Sequence, residues 1–136
     1  MDDADLPQLD AAITTLKAGE NAYVVSVAGE LDLYSTPQLV AELEALAPDG
    51  PELVIELDGV SFIDSTGLGA ILLNLRRLRA AGGDMAIVCA DDTTRRLLGL
   101  VGLDLLIPLF ETSSRALEHL VGSVVLRKLQ EGRAPS

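Results

Sequence analysis

The amino-acid sequence predicts an α/β domain built on a largely parallel sheet. Short apolar stretches rich in β-branched residues alternate with longer stretches in which apolar residues recur at helical spacing. Alternating strands and helices of this kind are typical of parallel sheets with right-handed crossovers. Hydrophobic residues make up 49% of the 136 residues, so the chain can bury one aliphatic core in a single domain.

Two strands and one helix are predicted in the first third of the chain. A short polar link would join a strand over residues 13–17 to a second strand over residues 23–33. Ser35-Thr36-Pro37 indicates a helix start, with a hydroxyl cap and a proline in the first turn. The helix would end before Pro48. Its apolar residues recur at helical spacing: Leu39, Val40, Leu43 and Leu46.

A third strand and a second helix are predicted on either side of a short segment rich in hydroxyl residues. Residues 53–57 (LVIEL) form a short apolar strand, and further apolar residues lead from it into Asp64-Ser65-Thr66-Gly67. A helix follows at once, because apolar residues recur at helical spacing from Leu68 to Leu78. Hydroxyl groups are therefore concentrated where the strand passes into the helix.

The last third of the chain predicts two strands and two helices. Residues 85–89 form a strand, and Asp91-Asp92-Thr93-Thr94 caps a short helix. A strand over residues 105–110 would lie at the sheet edge, since its proline cannot donate to a neighbouring strand. Thr112-Ser113-Ser114 caps a final helix over residues 115–129.

The folded domain is predicted to span residues 13–129. Residues 1–12 and 130–136 are expected to be disordered, as chain ends are when nothing fixes them. The sequence predicts no particular oligomeric state.

The charge of the chain limits its partners. A net charge of −11 and an isoelectric point of about 4.3 would repel nucleic acids and anionic membranes. We find neither a signal-peptide pattern nor an apolar run of about 18 residues, and therefore expect a cytoplasmic protein. Cys89 is the single cysteine and lies in an apolar run, so we expect a small buried hydrophobe in a reducing compartment.

The sequence contains no pattern typical of an enzyme or a metal site. The string FIDSTGLG lacks the Gly-x-Ser-x-Gly pattern of a serine hydrolase. The single histidine, His119, lies beside Glu118 and Arg115 on a polar helix face, and it has no partner at metal-ligand spacing. We therefore expect a protein that is not an enzyme and holds no metal or cofactor.

The glycines after Thr66 do not form a phosphate-binding loop, because no lysine follows them at the required spacing. Gly67 is expected instead to permit a tight turn from strand to helix. Gly69 is expected to let the helix approach the sheet closely.

An aspartyl-phosphate receiver domain has a similar length and element order and remains an alternative. That family also has an Asp at the end of a central strand. It needs an acidic pair after its first strand and a Lys directly before a Pro near its last strand. Here Ile107 precedes Pro108, and no acidic pair ends the first predicted strand.

Acidic and hydroxyl residues are predicted to meet at one edge of the sheet. If the strands ending near Asp32 and Ile63 are parallel, both finish at the same edge. Asp32 would then lie close to Asp64 and Ser65. At this position Ser65 and Thr66 are either helix caps alone or acceptors for chemistry.

The basic cluster Arg76, Arg77 and Arg79 lies on the predicted helix that follows this edge. It is either a solvated helix face or a surface that docks a partner. The cluster is the main basic patch near Ser65 on a strongly acidic chain, and this favours a function in docking a partner.

Three segments together resemble one known family. AGELDLYSTPQL (residues 28–39) is similar to the Gly-Glu-Leu-Asp segment of STAS domains. VSFIDSTGLGAILLNLRRLRAAGGDMAIV (residues 60–88) resembles their Asp-Ser-[Ser/Thr]-Gly-Leu-Gly phosphorylation motif, and TTRRLLGLVGLDLLIPLFETSSRAL (residues 93–117) their closing segment. STAS domains occur in sulfate transporters and in bacterial anti-sigma factor antagonists. The resemblance implies a mixed, mostly parallel sheet with one antiparallel edge strand and helices mainly on one face.

The resemblance also implies a function in partner switching. An unphosphorylated antagonist binds a kinase-type anti-sigma factor and releases the sigma factor. Phosphorylation by that kinase ends the binding, and a serine phosphatase restores it. Carried over by position, Ser65 is the phosphorylated residue. The partner-binding and switch residues are expected to be Asp32, Asp64, Thr66, Gly67, Arg76 and Arg79.

A second function within the same family stays open. Some single STAS domains are subunits of lipid-transport complexes. The serine beside an acidic residue at positions 64 and 65 favours a kinase partner instead.

Overall fold

A computed structural model describes residues 12–132, which form one five-stranded sheet and four α-helices. The strands are β1 (Ala12–Gly19), β2 (Ala22–Leu31), β3 (Glu52–Ile63), β4 (Asp84–Val88) and β5 (Leu109–Phe110). Their order in the sheet is their order along the chain. The pair β1–β2 is antiparallel, and the pairs β2–β3, β3–β4 and β4–β5 are parallel. The predicted mixed, mostly parallel sheet with an antiparallel edge strand is confirmed.

The helices lie on both faces of this sheet, with more of them on one face. They are α1 (Thr36–Leu46), α2 (Ser65–Ala80), α3 (Asp92–Leu100) and α4 (Ser113–Gly132). Residues from α1, α2 and α3 share the larger core cluster with one set of strand residues. Residues from α4 cover the alternate strand residues, because successive side chains of a strand point to opposite faces. The prediction of helices mainly on one face is therefore confirmed, with α4 on the other.

Both core clusters are aliphatic, as the scarcity of aromatic residues requires. On the α1–α3 side Leu39, Ile71 and Leu98 pack over the sheet. On the α4 side Ala116 and Leu120 do so. Cys89 is fully buried, and this burial raises the pKa of its thiol, which confirms the expected small hydrophobe.

The third strand is longer than the sequence indicated. The predicted short strand over residues 53–57 is the first part of β3, which continues to Ile63. Two register shifts against β2 absorb the two additional residues of β3, one after Ser26 and one after Gly29. These irregularities interrupt the alternation of apolar residues, so the pattern alone did not predict one continuous strand.

The C-terminal elements also differ from the prediction. The strand predicted over residues 105–110 is reduced to Leu109–Phe110, because Leu103–Leu105 form a 3-10 turn. Among the described strands β5 pairs only with β4, which agrees with the predicted edge position. Helix α4 runs to Gly132, so residues 130–132 of the predicted disordered tail are helical. The other positions of the predicted disordered termini lie outside the described residues, except Ala12, which begins β1.

Within residues 12–132, none of the helices combines the length and the apolar character that a membrane span requires. The same residues contain no group of three or more His, Cys, Asp or Glu side chains arranged to hold a metal ion.

Candidate functional site

The carboxyl ends of β2 and β3 bring two acidic residues together. Leu31 and Ile63 are paired in the parallel ladder, so the residues that follow them leave the sheet side by side. The backbone N–H of Asp64 donates to the carbonyl oxygen of Leu31 at 3.1 Å. Asp32 and Asp64 therefore start the two loops at one edge of the sheet, as the parallel strands predicted.

Asp32 organises the loop between β2 and α1. Its Oδ1 atom accepts hydrogen bonds from the backbone N–H groups of Tyr34 and Ser35, each at 3.0 Å. These bonds, that from Ser35 foremost, hold the pKa of the Asp32 carboxyl below its usual range. The side chain is thus an ionised loop anchor rather than a freely rotating surface charge.

Ser35 does not cap helix α1 as the sequence predicted. Its hydroxyl is buried and donates to the carbonyl oxygen of Glu30, while its oxygen accepts from the N–H of Asp32 at 3.0 Å. Ser35 still occupies the cap position, but it makes no side-chain bond to the helix. The structural reason is competition, since the Asp32 loop takes both hydrogen-bonding functions of the hydroxyl.

Asp64, and not Ser65, caps helix α2. Its backbone is extended, and its Oδ1 atom accepts from the N–H of Gly67 at 3.0 Å. This is the usual capping bond to one of the free N–H groups of a first helical turn. Ser65 is then the first residue of the helix, so its interpretation as the cap is wrong.

The hydroxyl groups of Ser65 and Thr66 remain open. Both residues are exposed, and within residues 12–132 neither side chain makes a hydrogen bond. Because Asp64 carries the cap, neither hydroxyl is needed to hold the helix end. Both hydroxyls are accessible to a partner. Asp64 stabilises the helix start, so a reaction at either hydroxyl would not remove the capping bond.

Gly67 is required for close packing. It is buried, and an added Cβ atom would lie 3.0 Å from side-chain atoms of Leu31 and Ile63 and from the Leu31 carbonyl oxygen. Gly67 is not among the glycines with positive φ. The tight turn from strand to helix therefore does not depend on a backbone conformation that only glycine favours. Gly67 lets the helix start lie directly on the ends of β2 and β3.

Gly69 has the opposite environment. It is exposed, and an added Cβ atom would meet nothing within 4 Å. The predicted close approach to the sheet is therefore made by Gly67 and not by Gly69. Gly69 lies on the same helix face as Ser65 and Thr66, three to four residues on. It leaves the surface beside the two hydroxyls flat.

Large apolar side chains are exposed around this helix start. Leu33 and Tyr34, in the Asp32 loop, are 62% and 77% exposed, and Phe62 near the end of β3 is 52% exposed. Leu73 follows Gly69 by four residues, on the same face of α2, and is also exposed. We call these four residues the apolar rim. Exposed large apolar side chains are common at protein–protein interaction sites, which makes these four residues candidates for contact with a partner.

The exposure of Leu33 was not predicted from the sequence, because the second strand was expected to run to residue 33, whereas β2 ends at Leu31. An apolar Leu-Tyr pair outside a strand and directly after Asp32 was the available signal.

The basic residues of α2 are mostly engaged within the domain. Arg77 pairs with Glu44 of α1 at 2.6 Å. Arg79 pairs with Asp84 at 3.0 Å and also donates to the carbonyl oxygen of Leu106 at 2.8 Å. Arg76 is exposed and makes no hydrogen bond or ion pair to other residues in the range 12–132. Of the predicted docking arginines Arg76 and Arg79, only Arg76 has an uncommitted guanidinium group.

Comparison with known proteins agrees with this architecture. Residues 14–116 match the family model of the STAS domain, which covers more than half of the chain. The chain belongs to the STAS-domain family. This STAS domain is 38% identical over 88 residues to the anti-sigma-B factor antagonist of Bacillus subtilis (strain 168), a match that covers 65% of the chain and 81% of that protein.

Solved structures give the same result. An anti-sigma factor antagonist from Mycobacterium paratuberculosis is 36% identical, with a TM-score of 0.71 over 80% of this STAS domain and 94% of that chain. The Bacillus cell fate determinant SpoIIAA in its phosphorylated form, at 24% identity and a TM-score of 0.64, covers 79% of this chain and 98% of its own. That second likeness shows a shared fold. The resemblance to STAS-domain antagonists and the fold it implied are confirmed.

Proposed function

We propose that this STAS domain is an anti-sigma factor antagonist switched by phosphorylation of Ser65. The unphosphorylated form binds a kinase-type anti-sigma factor in the cytoplasm and so frees a sigma factor. The kinase then phosphorylates Ser65, which ends the binding, and a serine phosphatase restores the first state. The domain is thus a substrate of both enzymes and is not itself an enzyme. Relatives named anti-sigma-B factor antagonist and anti-sigma factor antagonist support the class.

The observation that carries this proposal is the exposed, unbonded hydroxyl of Ser65 at the first position of α2. A kinase must reach the acceptor oxygen without unfolding the segment around it. Ser65 meets this condition because the capping bond belongs to Asp64. Modification of the hydroxyl therefore leaves the bond from Gly67 to Asp64 intact.

A phosphate group at this position is compatible with the folded helix. Phosphorylation adds about −1.5 to −2 charges at neutral pH. Near a helix N-terminus a negative charge is stabilised by roughly 0.3–1 kcal/mol, because the free N–H groups and the helix dipole favour it. The N–H groups of Ser65 and Thr66 belong to this first turn. We therefore infer that phosphorylation changes the surface and leaves the fold in place.

Loss of binding then follows from charge at the interface. The new phosphate would stand beside the carboxylates of Asp64 and Asp32 and next to the apolar rim. If the partner covers the apolar rim, the phosphate becomes buried without a cationic partner in the interface. Burying an unpaired charge costs several kcal/mol, and about 1.4 kcal/mol already lowers affinity tenfold.

The other predicted site residues take distinct parts in this proposal. Asp64 and Gly67 position Ser65 through the cap and the close packing of the helix start. Asp32 holds the loop that presents Leu33 and Tyr34. Thr66 offers its open hydroxyl beside the acceptor, and Arg76 offers a free charge. Arg79 acts at a distance, by fixing the far end of α2 against Asp84 and the carbonyl of Leu106.

Phosphorylation in vitro tests the proposal. The full chain is incubated with ATP and a kinase-type anti-sigma factor from the same organism, and the modified residue is mapped by mass spectrometry. We expect one phosphate, on Ser65, and none on the Ser65→Ala variant. Thr66→Ala and Ser61→Ala are matched controls, because both residues are exposed hydroxyls within four positions. A phosphate that maps to Thr66 or Ser61 would overturn the assignment.

A further inference from the structure

A groove lies at the opposite end of the sheet from Ser65, between the β1–β2 turn and helix α4. Its volume is about 610 Å³, within the range of small-molecule sites. Helix α4 contributes three apolar residues, Val121, Val124 and Val125, and one charged residue, Lys128. Glu52, the first residue of β3, also lines the groove. The length of β3 separates this groove from the phosphorylation site.

Glu52 is a buried carboxyl with only one satisfied oxygen. The residue is 7% exposed, and its Oε1 atom pairs with Arg127 at 2.9 Å. Its Oε2 atom is buried and accepts no hydrogen bond from residues 12–132. Burial raises the pKa of this carboxyl, while Arg127 opposes the increase. A buried polar atom without a partner is uncommon in folded proteins and calls for a donor.

The neighbouring cations do not supply that donor. Arg127 is held in place by a second bond, from Nη1 to the carbonyl oxygen of Gly82 at 2.9 Å. Its guanidinium therefore reaches one oxygen of Glu52 only. Lys128 also lines the groove, but it makes no hydrogen bond or ion pair to Glu52 among residues 12–132. Asp84 lies close enough to disfavour a second anion near Glu52.

We propose that this groove binds a small primary ammonium compound with an aliphatic body. The ammonium group would donate a hydrogen bond to Oε2 of Glu52, and the aliphatic body would pack against the three valines. An ammonium group fits better than a neutral donor because its hydrogen bond to a carboxylate oxygen is charge-assisted and therefore stronger. Since Oε2 is covered, binding requires that the groove wall moves enough to expose this oxygen to the head group.

This site is independent of the proposed phosphorylation switch. It involves other residues at the amino end of β3, so Ser65 stays accessible when the groove is occupied. Failure of one proposal therefore leaves the other standing.

A titration of the full chain with cyclohexylammonium, followed by ¹H–¹⁵N NMR, tests the inference. We expect saturable shifts of the amides of Asn21, Val121, Val124 and Val125. Cyclohexanol and cyclohexanecarboxylate, which share the body and lack the cation, should give no saturable shift. Absence of saturation with cyclohexylammonium, or equal binding of the alcohol, would overturn the proposal.

Variants separate the carboxyl from its surroundings. Glu52→Gln should lower the affinity for cyclohexylammonium at least about tenfold. Glu20→Gln, at the rim of the groove, should change this affinity by no more than about threefold. If Glu52→Gln does not fold, Val125→Lys on the half-exposed wall places a fixed cation in the groove and should also abolish binding. Lys128→Met should bind within about threefold of the parent chain. Binding that appears only in Lys128→Met would contradict the proposal, because Lys128 itself would then be the donor to Glu52.

Discussion

The backbone N–H of Asp64 donates to the carbonyl oxygen of Leu31, and this bond extends the β2–β3 pairing to the residue that leaves the sheet. It fixes the Asp32 loop and the start of α2 relative to each other. Ser65, its neighbour Asp64 and the loop residues Leu33 and Tyr34 therefore all follow directly from the paired ends of these two strands. A partner that docks on this edge contacts all of them together.

The cap of α2 gives the first prediction. Asp64→Ala removes the acceptor for Gly67 and should lower the free energy of unfolding by about 1 kcal/mol, within the usual range of about 0.5–2 kcal/mol for a lost cap. Asp64→Asn is the matched control, since it keeps an acceptor oxygen and removes only the charge. Urea unfolding measures both. Equal losses in the two variants would mean that charge, and not capping, stabilises the helix start.

Gly67 and Gly69 form a second matched pair. Gly67→Ala should destabilise the domain, because its methyl group would lie 3.0 Å from Leu31 and Ile63. Gly69→Ala has free space and should stabilise the helix by roughly 0.5–1 kcal/mol. If a partner packs flush on this face, Gly69→Ala should nevertheless weaken kinase binding. Urea unfolding and binding titrations of both variants would test this, and a destabilised Gly69→Ala would contradict the assignment.

The arginines of α2 should respond differently to charge reversal. Arg76→Glu should keep the melting temperature and slow association with the kinase at low salt, since Arg76 has no partner within the described domain. Arg79→Glu should lower stability, because it breaks the contacts to Asp84 and Leu106. Stopped-flow association and thermal melts separate the two effects. Unchanged association of Arg76→Glu would remove this residue from the docking surface.

Asp32 predicts a dependence of stability on pH. Hydrogen bonds in the loop lower the pKa of its carboxyl from the ordinary 3.8, so the folded state favours the ionised form. Its contribution to stability is then present above that value and is lost as the pH falls through the lower, folded-state pKa. The free energies of unfolding of the parent chain and of Asp32→Asn should therefore differ at pH 6, and the difference should shrink toward pH 2. A constant difference across this range would show that Asp32 does not act through its charge.

Most of the fold could be predicted because the periodicity of the apolar residues and the positions of the turn and cap residues indicate the same element boundaries. Apolar runs such as residues 85–89 and helical repeats such as Leu68 to Leu78 lie between clear turn signals. The same logic located Asp32 and Asp64 at one edge, since parallel strands end together. The full length of β3 could not be predicted, because two register shifts with β2 interrupt the alternation of apolar residues on which such a prediction depends.

The details of the site depended on backbone geometry that composition does not reveal. Asp64, Ser65 and Thr66 are all good capping residues, and only the extended backbone at Asp64 decides which of them caps α2. Gly67 and Gly69 look alike in the sequence, and their packing distinguishes them. The pairing of Arg79 with Asp84 joins the two ends of the α2–β4 connection and likewise required the folded structure.

We propose that phosphorylation of Ser65 changes the binding surface and leaves the fold unchanged. The most direct measurement is the dissociation constant of the kinase-type anti-sigma factor for the unmodified and the Ser65-phosphorylated chain, with circular dichroism of both forms. We predict at least about 100-fold weaker binding after phosphorylation, which corresponds to about 2.7 kcal/mol, together with the same spectrum and melting curve. A phosphorylated chain that binds within about twofold of the unmodified one, or that loses binding together with its folded spectrum, would contradict the account.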